Sequence, residues 1–128
     1  MRRQDWAARL ADYLTLPHRF DWVENNCAFF TSGAVLAVTG EDYSTPYRGP
    51  TTRKGMVAKF KRLGGVAAVM APFPSVPVLM AQRGDVAEVT GPNGVKLLGV
   101  VVGAKVAVLA IEGVIHYEVA TANRAWRV

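Results

Sequence analysis

Cys27 is the only cysteine in the 128-residue chain, and its side chain could do the most chemistry. It directly follows Asn25 and Asn26, either of which is a good N-cap, and it begins an apolar run. We therefore predict that its thiol lies at the N-terminus of a helix. There, the helix dipole and free backbone N–H groups stabilise a thiolate and can donate to an oxyanion. Cys27 is thus a candidate nucleophile, although free cysteine is also a common small core residue.

A cysteine nucleophile needs a base within hydrogen-bond reach, and histidine is the usual one. His116 falls in the middle of a predicted strand, where its neighbours Ile115 and Tyr117 would point to the opposite face. His18 precedes the cysteine and lies in a predicted loop. His116 is the candidate base, because it comes from the predicted sheet. The alternative for both histidines is a surface or hydrogen-bonded structural role.

Two further sets of residues could orient or bind a ligand. Asp85 follows Gly84 at the start of a predicted strand. Its carboxylate could orient a catalytic group, but the simpler interpretation is that it accepts backbone N–H bonds at this loop-to-strand junction. Trp6, Trp22 and Trp126 could stack on a ligand. Their large buried area favours the alternative, in which they anchor the core.

The composition limits the class of site. One cysteine cannot form an internal disulfide, and one cysteine with two distant histidines has no zinc-ligand spacing. We therefore expect no metal and no cofactor. The longest apolar stretch, Leu97 to Ile111, is interrupted by glycines and a lysine and is too short for a membrane span. The first basic residues are not followed by the apolar segment of a secretory signal.

The net charge of +5 is compatible with nucleic-acid or anionic-surface binding. The basic residues cluster only at Arg53-Lys54 and at Lys59, Lys61 and Arg62. Aromatic residues do not alternate with them, as they would on a platform for single-stranded nucleic acid. A solvated basic helix face is the simpler interpretation, and nucleic acid is not an expected partner.

The N-terminal half of the chain has the patterns of helices. Trp6, Leu10 and Leu14 recur at helical spacing. The next two predicted helices run from Cys27 to Val38 and from about Thr52 to Leu63. The helix that begins at the cysteine is apolar on nearly every face, which is typical of a central buried helix.

The C-terminal half has the pattern of strands separated by short turns, after a proline-rich extended connector. Gaps such as Gly103-Ala104 and Glu112-Gly113 require antiparallel hairpins. Helices followed by an antiparallel meander form an α+β layout, here in a single domain over residues 1–128. The predicted strands are Asp85 to Val89, Val95 to Val102, Lys105 to Ile111, Val114 to Val119 and Ala125 to Val128.

A series of short motifs follows the chain from residue 20 to residue 128. They are Phe20-Asp21-Trp22 with Asn26-Cys27-Ala28-Phe29-Phe30, Thr39-Gly40-Glu41-Asp42, Tyr47-Arg48-Gly49, Leu63-Gly64-Gly65, Arg83-Gly84-Asp85-Val86, Leu98-Gly99-Val100 and Ala125-Trp126-Arg127-Val128. Their order and spacing resemble those of small phage and prophage tail proteins, which are distant relatives of the NlpC-type cell-wall cysteine peptidases. The resemblance covers nearly the whole chain.

This resemblance implies a papain-like, NlpC-like fold. In that fold, N-terminal helices pack on a C-terminal antiparallel sheet, and the central helix begins at Cys27. The resemblance also implies a place in the virion, at the tip of a phage tail, for a protein made in the bacterial host cytoplasm. The implied partners are hub, tail-tip and fibre proteins, together with the host cell wall that they meet.

The same resemblance bears on activity. Leu97-Leu98-Gly99 matches the H-V-G stretch of active NlpC-type peptidases, so leucine stands where their catalytic histidine is expected. Asn26 stands where the resembling tail proteins usually have aspartate. We therefore expect a tail-tip structural or assembly protein without catalysis. The alternative is an active cysteine peptidase or amidase that cleaves peptidoglycan peptides, with Cys27 as nucleophile and His116 as base in a rearranged site.

Overall fold

Three α-helices occupy the N-terminal half of the chain, as the sequence predicts. In the computed structural model, which describes residues 1–128, α1 spans Trp6–Thr15, α2 spans Cys27–Thr39 and α3 spans Arg53–Leu63. The predicted bounds of α2 and α3 are thus confirmed to within about one residue, the usual uncertainty of a helix end. None of these helices combines the length and the apolar character needed to cross a membrane.

Local signals fix both ends of α2. The side chain of Asn26 accepts a hydrogen bond from the Phe29 N–H at 3.0 Å, which satisfies one of the free donors of the first turn. At the other end, Gly40 adopts a left-handed conformation with φ 83°, and its N–H donates to the Leu36 carbonyl at 2.7 Å. The N-cap therefore places Cys27 as the first helical residue.

Helix α1 packs closely against α2 because of one glycine. The Tyr13 hydroxyl donates to the Phe30 carbonyl at 2.7 Å, which joins the two helices. A β-carbon at Gly33 would lie 2.2 Å from the Tyr13 hydroxyl oxygen. Only glycine at position 33 therefore permits this contact.

The C-terminal half forms one antiparallel sheet of six strands, in the order β1-β6-β2-β3-β4-β5. Together with the three helices, this sheet confirms the predicted α+β class. The strands are β1 Ser75–Val76, β2 Val86–Thr90, β3 Lys96–Val101, β4 Lys105–Ala110, β5 Gly113–Glu118 and β6 Arg124–Trp126.

Most predicted strand ends lie one residue from the observed ends, and three differences bear on how the sheet is built. Strand β1 lies in the proline-rich connector, for which the sequence predicts no strand, and its two residues pair with β6. The predicted strand at Asp85 begins one residue later. The predicted last strand, Ala125 to Val128, ends at Trp126, because the Val128 N–H donates to the Asp85 carboxylate instead of to a neighbouring strand.

Helix α2 lies between two apolar clusters. Phe30, Ala34 and Val38 belong to the main core, which they share with buried side chains of the sheet. Ala28 and Phe29 belong to a smaller cluster that α2 shares with α3 and the turn after it. A helix that packs on both sides must be apolar on both sides, which explains its uniform hydrophobicity.

Candidate binding groove beside Cys27

A groove of about 990 Å³ opens between the start of α2, helix α3 and the tips of two hairpins. One hairpin joins β2 to β3 and the other joins β4 to β5. Most of the lining side chains are apolar, as is usual for a site that binds a ligand or a partner segment. We call it the Cys27 groove. Its lining includes Trp22, Cys27, Val57, Leu97, Ile115 and Tyr117.

The Cys27 thiol lies at the helix start, as predicted, but it is almost completely buried. The residue is 7% exposed and belongs to the main core. Burial raises the pKa of the thiol. The backbone N–H groups of Leu98, Ala28 and Cys27 itself act in the opposite direction but do not compensate. The thiol is therefore neutral near pH 7, in contrast to the thiolate that a helix N-terminus can stabilise at an exposed site.

The structure does not bring either histidine to Cys27. In β5, Ile115 and Tyr117 line the groove, whereas His116 lies between them on the opposite face and is exposed. The Nε2 atom of His18 is 2.6 Å from the Tyr13 carbonyl oxygen, and its ring packs edge-on against Phe30. His18 thus has the hydrogen-bonded structural role considered as an alternative, and His116 cannot reach the thiol without a rearrangement of β5.

Strand β3 occupies the space beside the thiol. The Leu98 backbone N–H acts to lower the pKa of the thiol. The Leu98 side chain is completely buried, and Leu97 contributes to the groove wall. Neither histidine nor aspartate lines the groove, and no group of three or more metal-ligating side chains converges in the protein. The other ionisable residues of the lining are Lys61, Lys96, Glu112 and Tyr117.

The three tryptophans have different environments. Trp126 is buried in the main core, and Trp6 packs against it, so these two are core anchors as expected. Trp22 is partly exposed and lines the Cys27 groove. The Arg53 guanidinium lies 4.0 Å from the centre of a Trp22 ring, a cation–π contact that steadies the indole.

The rim of the groove contains apolar side chains that sequence reasoning missed. Ile111 is 69% exposed at the tip of the β4–β5 hairpin, and Val57 and Val95 are about half exposed. A large apolar residue at a hairpin tip is unusual, because turns favour glycine, asparagine and other polar residues. The apolar residue in the Ile111-Glu112-Gly113 turn is therefore the sequence signal that could have predicted an exposed apolar rim.

Helix α3, which forms one wall of the groove, is strongly cationic, and one of its basic residues, Lys61, lines the groove. It has five basic residues and no acidic residue, and none of the five forms an ion pair. Lys61 and Lys96 line the groove, where Glu112 is the only acidic residue. The five basic residues of α3 are Arg53, Lys54, Lys59, Lys61 and Arg62.

Asp85 lies outside the groove and has a structural role. It is completely buried, yet both carboxylate oxygens have partners. One oxygen accepts from Arg2 Nη2 at 2.9 Å and from the Val128 N–H at 3.0 Å. The other accepts from Arg127 Nε at 3.0 Å and from the Gln82 N–H at 2.8 Å. The predicted backbone bonds are confirmed, and the two arginine bonds are additional.

These contacts join both chain ends to the start of β2. Arg2 also donates to the Val128 carbonyl at 2.8 Å and to the Arg83 carbonyl at 2.9 Å. Arg127 also donates to the Met80 carbonyl at 2.9 Å. These donors replace the hydration that the buried carboxylate loses, and the two arginine bonds are charge-assisted. We call this set of contacts the Asp85 clasp.

The chain was compared with protein families and with curated proteins. No curated protein matches it. One family model matches over residues 1–128, the whole length of the chain. The chain therefore belongs to the family described as a domain of unknown function, DUF6950.

Proposed function

We propose that this protein is a non-catalytic component of a phage or prophage tail tip, or a factor that assembles the tail, with a degenerate papain-like, NlpC-like fold. The observation that carries the proposal is the state of Cys27. Its thiol starts a helix beside a strand, as a papain-like nucleophile would, but it is 7% exposed and its pKa is raised. An active thiol needs an accessible environment that stabilises the thiolate, whereas this thiol is buried and the nearby N–H groups do not offset the effect of burial on its pKa.

The strand next to the thiol supports the same proposal. The motif match assigns the position of the catalytic histidine to Leu97, and Leu97 and Leu98 of β3 lie beside Cys27. Leucine cannot take the proton of a nucleophilic thiol. What remains at this position is an apolar groove with exposed rim residues, which suits a surface that docks onto another protein.

The tail location rests on the motif resemblance, which runs from Phe20 to Val128. In this proposal the partners are hub, tail-tip or fibre proteins, and the protein is made in the host cytoplasm before it enters the virion. The α+β layout and the match of the family model along the whole chain are compatible with it.

Complementation tests this proposal. The gene is deleted from an inducible prophage and supplied from a plasmid as wild type, as Cys27→Ala or as the core-disrupting control Val100→Asp. We expect wild type and Cys27→Ala to restore infective particles equally, and we expect the protein in purified tails or bound to a tail protein. Its absence from both tails and tail-protein complexes would refute the proposal.

A cysteine peptidase or amidase is the second candidate function. It is favoured by one observation, namely that Cys27 lines the groove at a helix N-terminus where backbone N–H groups are available. The purified protein is incubated with peptidoglycan sacculi, and soluble muropeptides are measured. Under the first proposal none are released. Release that Cys27→Ala abolishes would establish the enzyme instead.

A further inference from the structure

Strand β5 is an open edge of the sheet, since it pairs only with β4. In an antiparallel ladder, every second residue directs its main-chain groups to the same neighbour. The Val119 N–H donates to the Ala104 carbonyl at 2.9 Å, which fixes the alternation between β4 and β5. The residues of β5 whose N–H and C=O groups point away from β4 are Val114, His116 and Glu118.

These outward groups are almost entirely free. The Glu118 carbonyl accepts from the Thr121 hydroxyl at 2.7 Å, and no other intramolecular bond reaches them. The opposite edge of the sheet is protected, because β1 has only two residues and lies between Pro74 and Pro77. Proline and short length are common ways to block an edge, and β5 has neither. Strand β5 is therefore available to pair with an added strand.

The free edge borders the Cys27 groove. Side chains Ile115 and Tyr117 of β5 form part of the groove wall. A strand added to β5 would direct every second side chain toward the same face of the sheet as these two. Exposed Ile111, at the end of the β4–β5 hairpin, extends this apolar surface. Edge and groove thus form one continuous surface that supplies main-chain bonds and side-chain contacts together.

The charge of this surface favours one class of partner over others. Of the five basic residues of α3, none of which forms an ion pair, Lys61 lines the groove. Lys96 lines it as well, and the single acidic residue of the lining is Glu112. A second copy of the chain would bring the same net charge of +5 and would be repelled. A nucleic acid would complement the charge but would leave the apolar wall unused.

We propose that an extended acidic segment of a partner protein, with alternating apolar side chains, adds to the sheet beside β5. Its main chain pairs with Val114, His116 and Glu118, and its apolar side chains enter the Cys27 groove. Its carboxylates lie near α3 and Lys96. This mode of recognition takes affinity from the main chain and specificity from alternate side chains. The docking proposal rests on the proposed function in one respect, because it assumes that the groove binds a protein instead of cleaving one.

Peptide titration tests this docking mode. The probe is a capped nine-residue peptide in which valine and threonine alternate between two acidic residues at each end. The matched peptide has lysines in place of the acidic residues. Amide resonances of the isotope-labelled protein are followed during addition of either peptide at low ionic strength. We expect the amides of Val114, His116 and Glu118 to shift, and we expect at least tenfold tighter binding of the acidic peptide.

Two variants at one position test the role of the edge. The His116 N–H points outward, so His116→Pro removes a donor for the added strand without removing a bond to β4. His116→Ala keeps that donor. We expect His116→Pro to weaken binding of the acidic peptide at least tenfold, whereas His116→Ala binds like wild type. The amide spectrum without peptide verifies that both variants fold, and an edge variant Val114→Pro repeats the test if the first does not fold.

Several outcomes would overturn the proposal. The first is an absence of shifts at millimolar peptide, and the second is equal binding by the proline and alanine variants. Shifts of the β5 amides that depend on protein concentration alone would assign the edge to a second copy. Displacement of the peptide by an oligonucleotide that contacts only α3 would assign the basic surface to nucleic acid. None of these results affects whether the protein assembles into tails. A failure of the docking proposal can therefore be distinguished from a failure of the proposed function.

Discussion

Cys27 and Asp85 are both buried, but their ionisable groups have opposite environments. The Cys27 thiol has a few backbone N–H groups nearby, and burial still raises its pKa. Asp85 has four donors, including two arginines, on its two oxygens. A buried charge persists only where every lost water is replaced, and a nucleophile also needs an open side for its substrate. Charged side chains therefore contact the Asp85 carboxylate, whereas none contacts the Cys27 thiol.

This contrast also explains two of the sequence motifs. Arg83-Gly84-Asp85-Val86 and Ala125-Trp126-Arg127-Val128 are 42 residues apart, measured between Asp85 and Arg127, yet they meet at the clasp. Gly84 has φ 91° and lies against Arg2 and Trp6, so a side chain at this position would be strained and crowded. These two motifs therefore maintain the connection of the chain ends, and they need no catalytic explanation.

Removal of the Asp85 carboxylate should have the largest effect on stability. Asp85→Ala leaves Arg2 and Arg127 without their shared partner and two backbone N–H groups unsatisfied. We expect the free energy of unfolding to fall by about 3–5 kcal/mol, the usual cost of breaking a buried ion pair from one side. Urea unfolding followed by circular dichroism measures it. A loss below about 1 kcal/mol would show that the clasp is not a stabilising feature.

The two arginines of the clasp should differ in importance. Arg2 is mostly buried and makes three hydrogen bonds, whereas the Arg127 side chain is 39% exposed and makes two. We expect Arg2→Ala to cost about 2–3 kcal/mol and Arg127→Ala about 1 kcal/mol, since solvent screens the more exposed ion pair. Urea unfolding of both variants gives the ranking, and the reverse order would contradict the difference in burial.

The clasp could be predicted only in part from the sequence. A carboxylate at a loop-to-strand junction predicts local backbone bonds, and Gln82 N–H supplies one. Arg2 is 83 residues from Asp85, and no local pattern encodes such a contact. The helix that begins at Cys27 was predictable because Asn26 and Gly40 are local signals of its ends. The burial of the thiol was only one of two alternatives, because it depends on how β3 packs against that helix.

Substitution of Cys27 should have a smaller effect than the loss of Asp85 or of Arg2. The thiol is neutral and has no charged partner, so Cys27→Ala removes mainly its packing. We expect a loss of about 1 kcal/mol in the free energy of unfolding. A loss as large as that of Asp85→Ala would mean that the thiol has a polar role like that of the carboxylate.

The effect of Cys27→Ala should also depend on pH, through the difference in the free energy of unfolding between wild type and the variant. Because the folded-state pKa of the thiol is raised above its unfolded value, its stabilising contribution is complete below the unfolded pKa and is lost as pH rises through the folded pKa. The difference should therefore be constant from pH 6 to 8 and should fall above about pH 9, by at most about 1.4 kcal/mol per pH unit. Burial also raises the pKa of Tyr13, but this contribution is common to both proteins and cancels. Urea unfolding at pH 7 and pH 10 measures the change. A difference that grows with pH would indicate a stabilised thiolate, which would make Cys27 a polar site like Asp85.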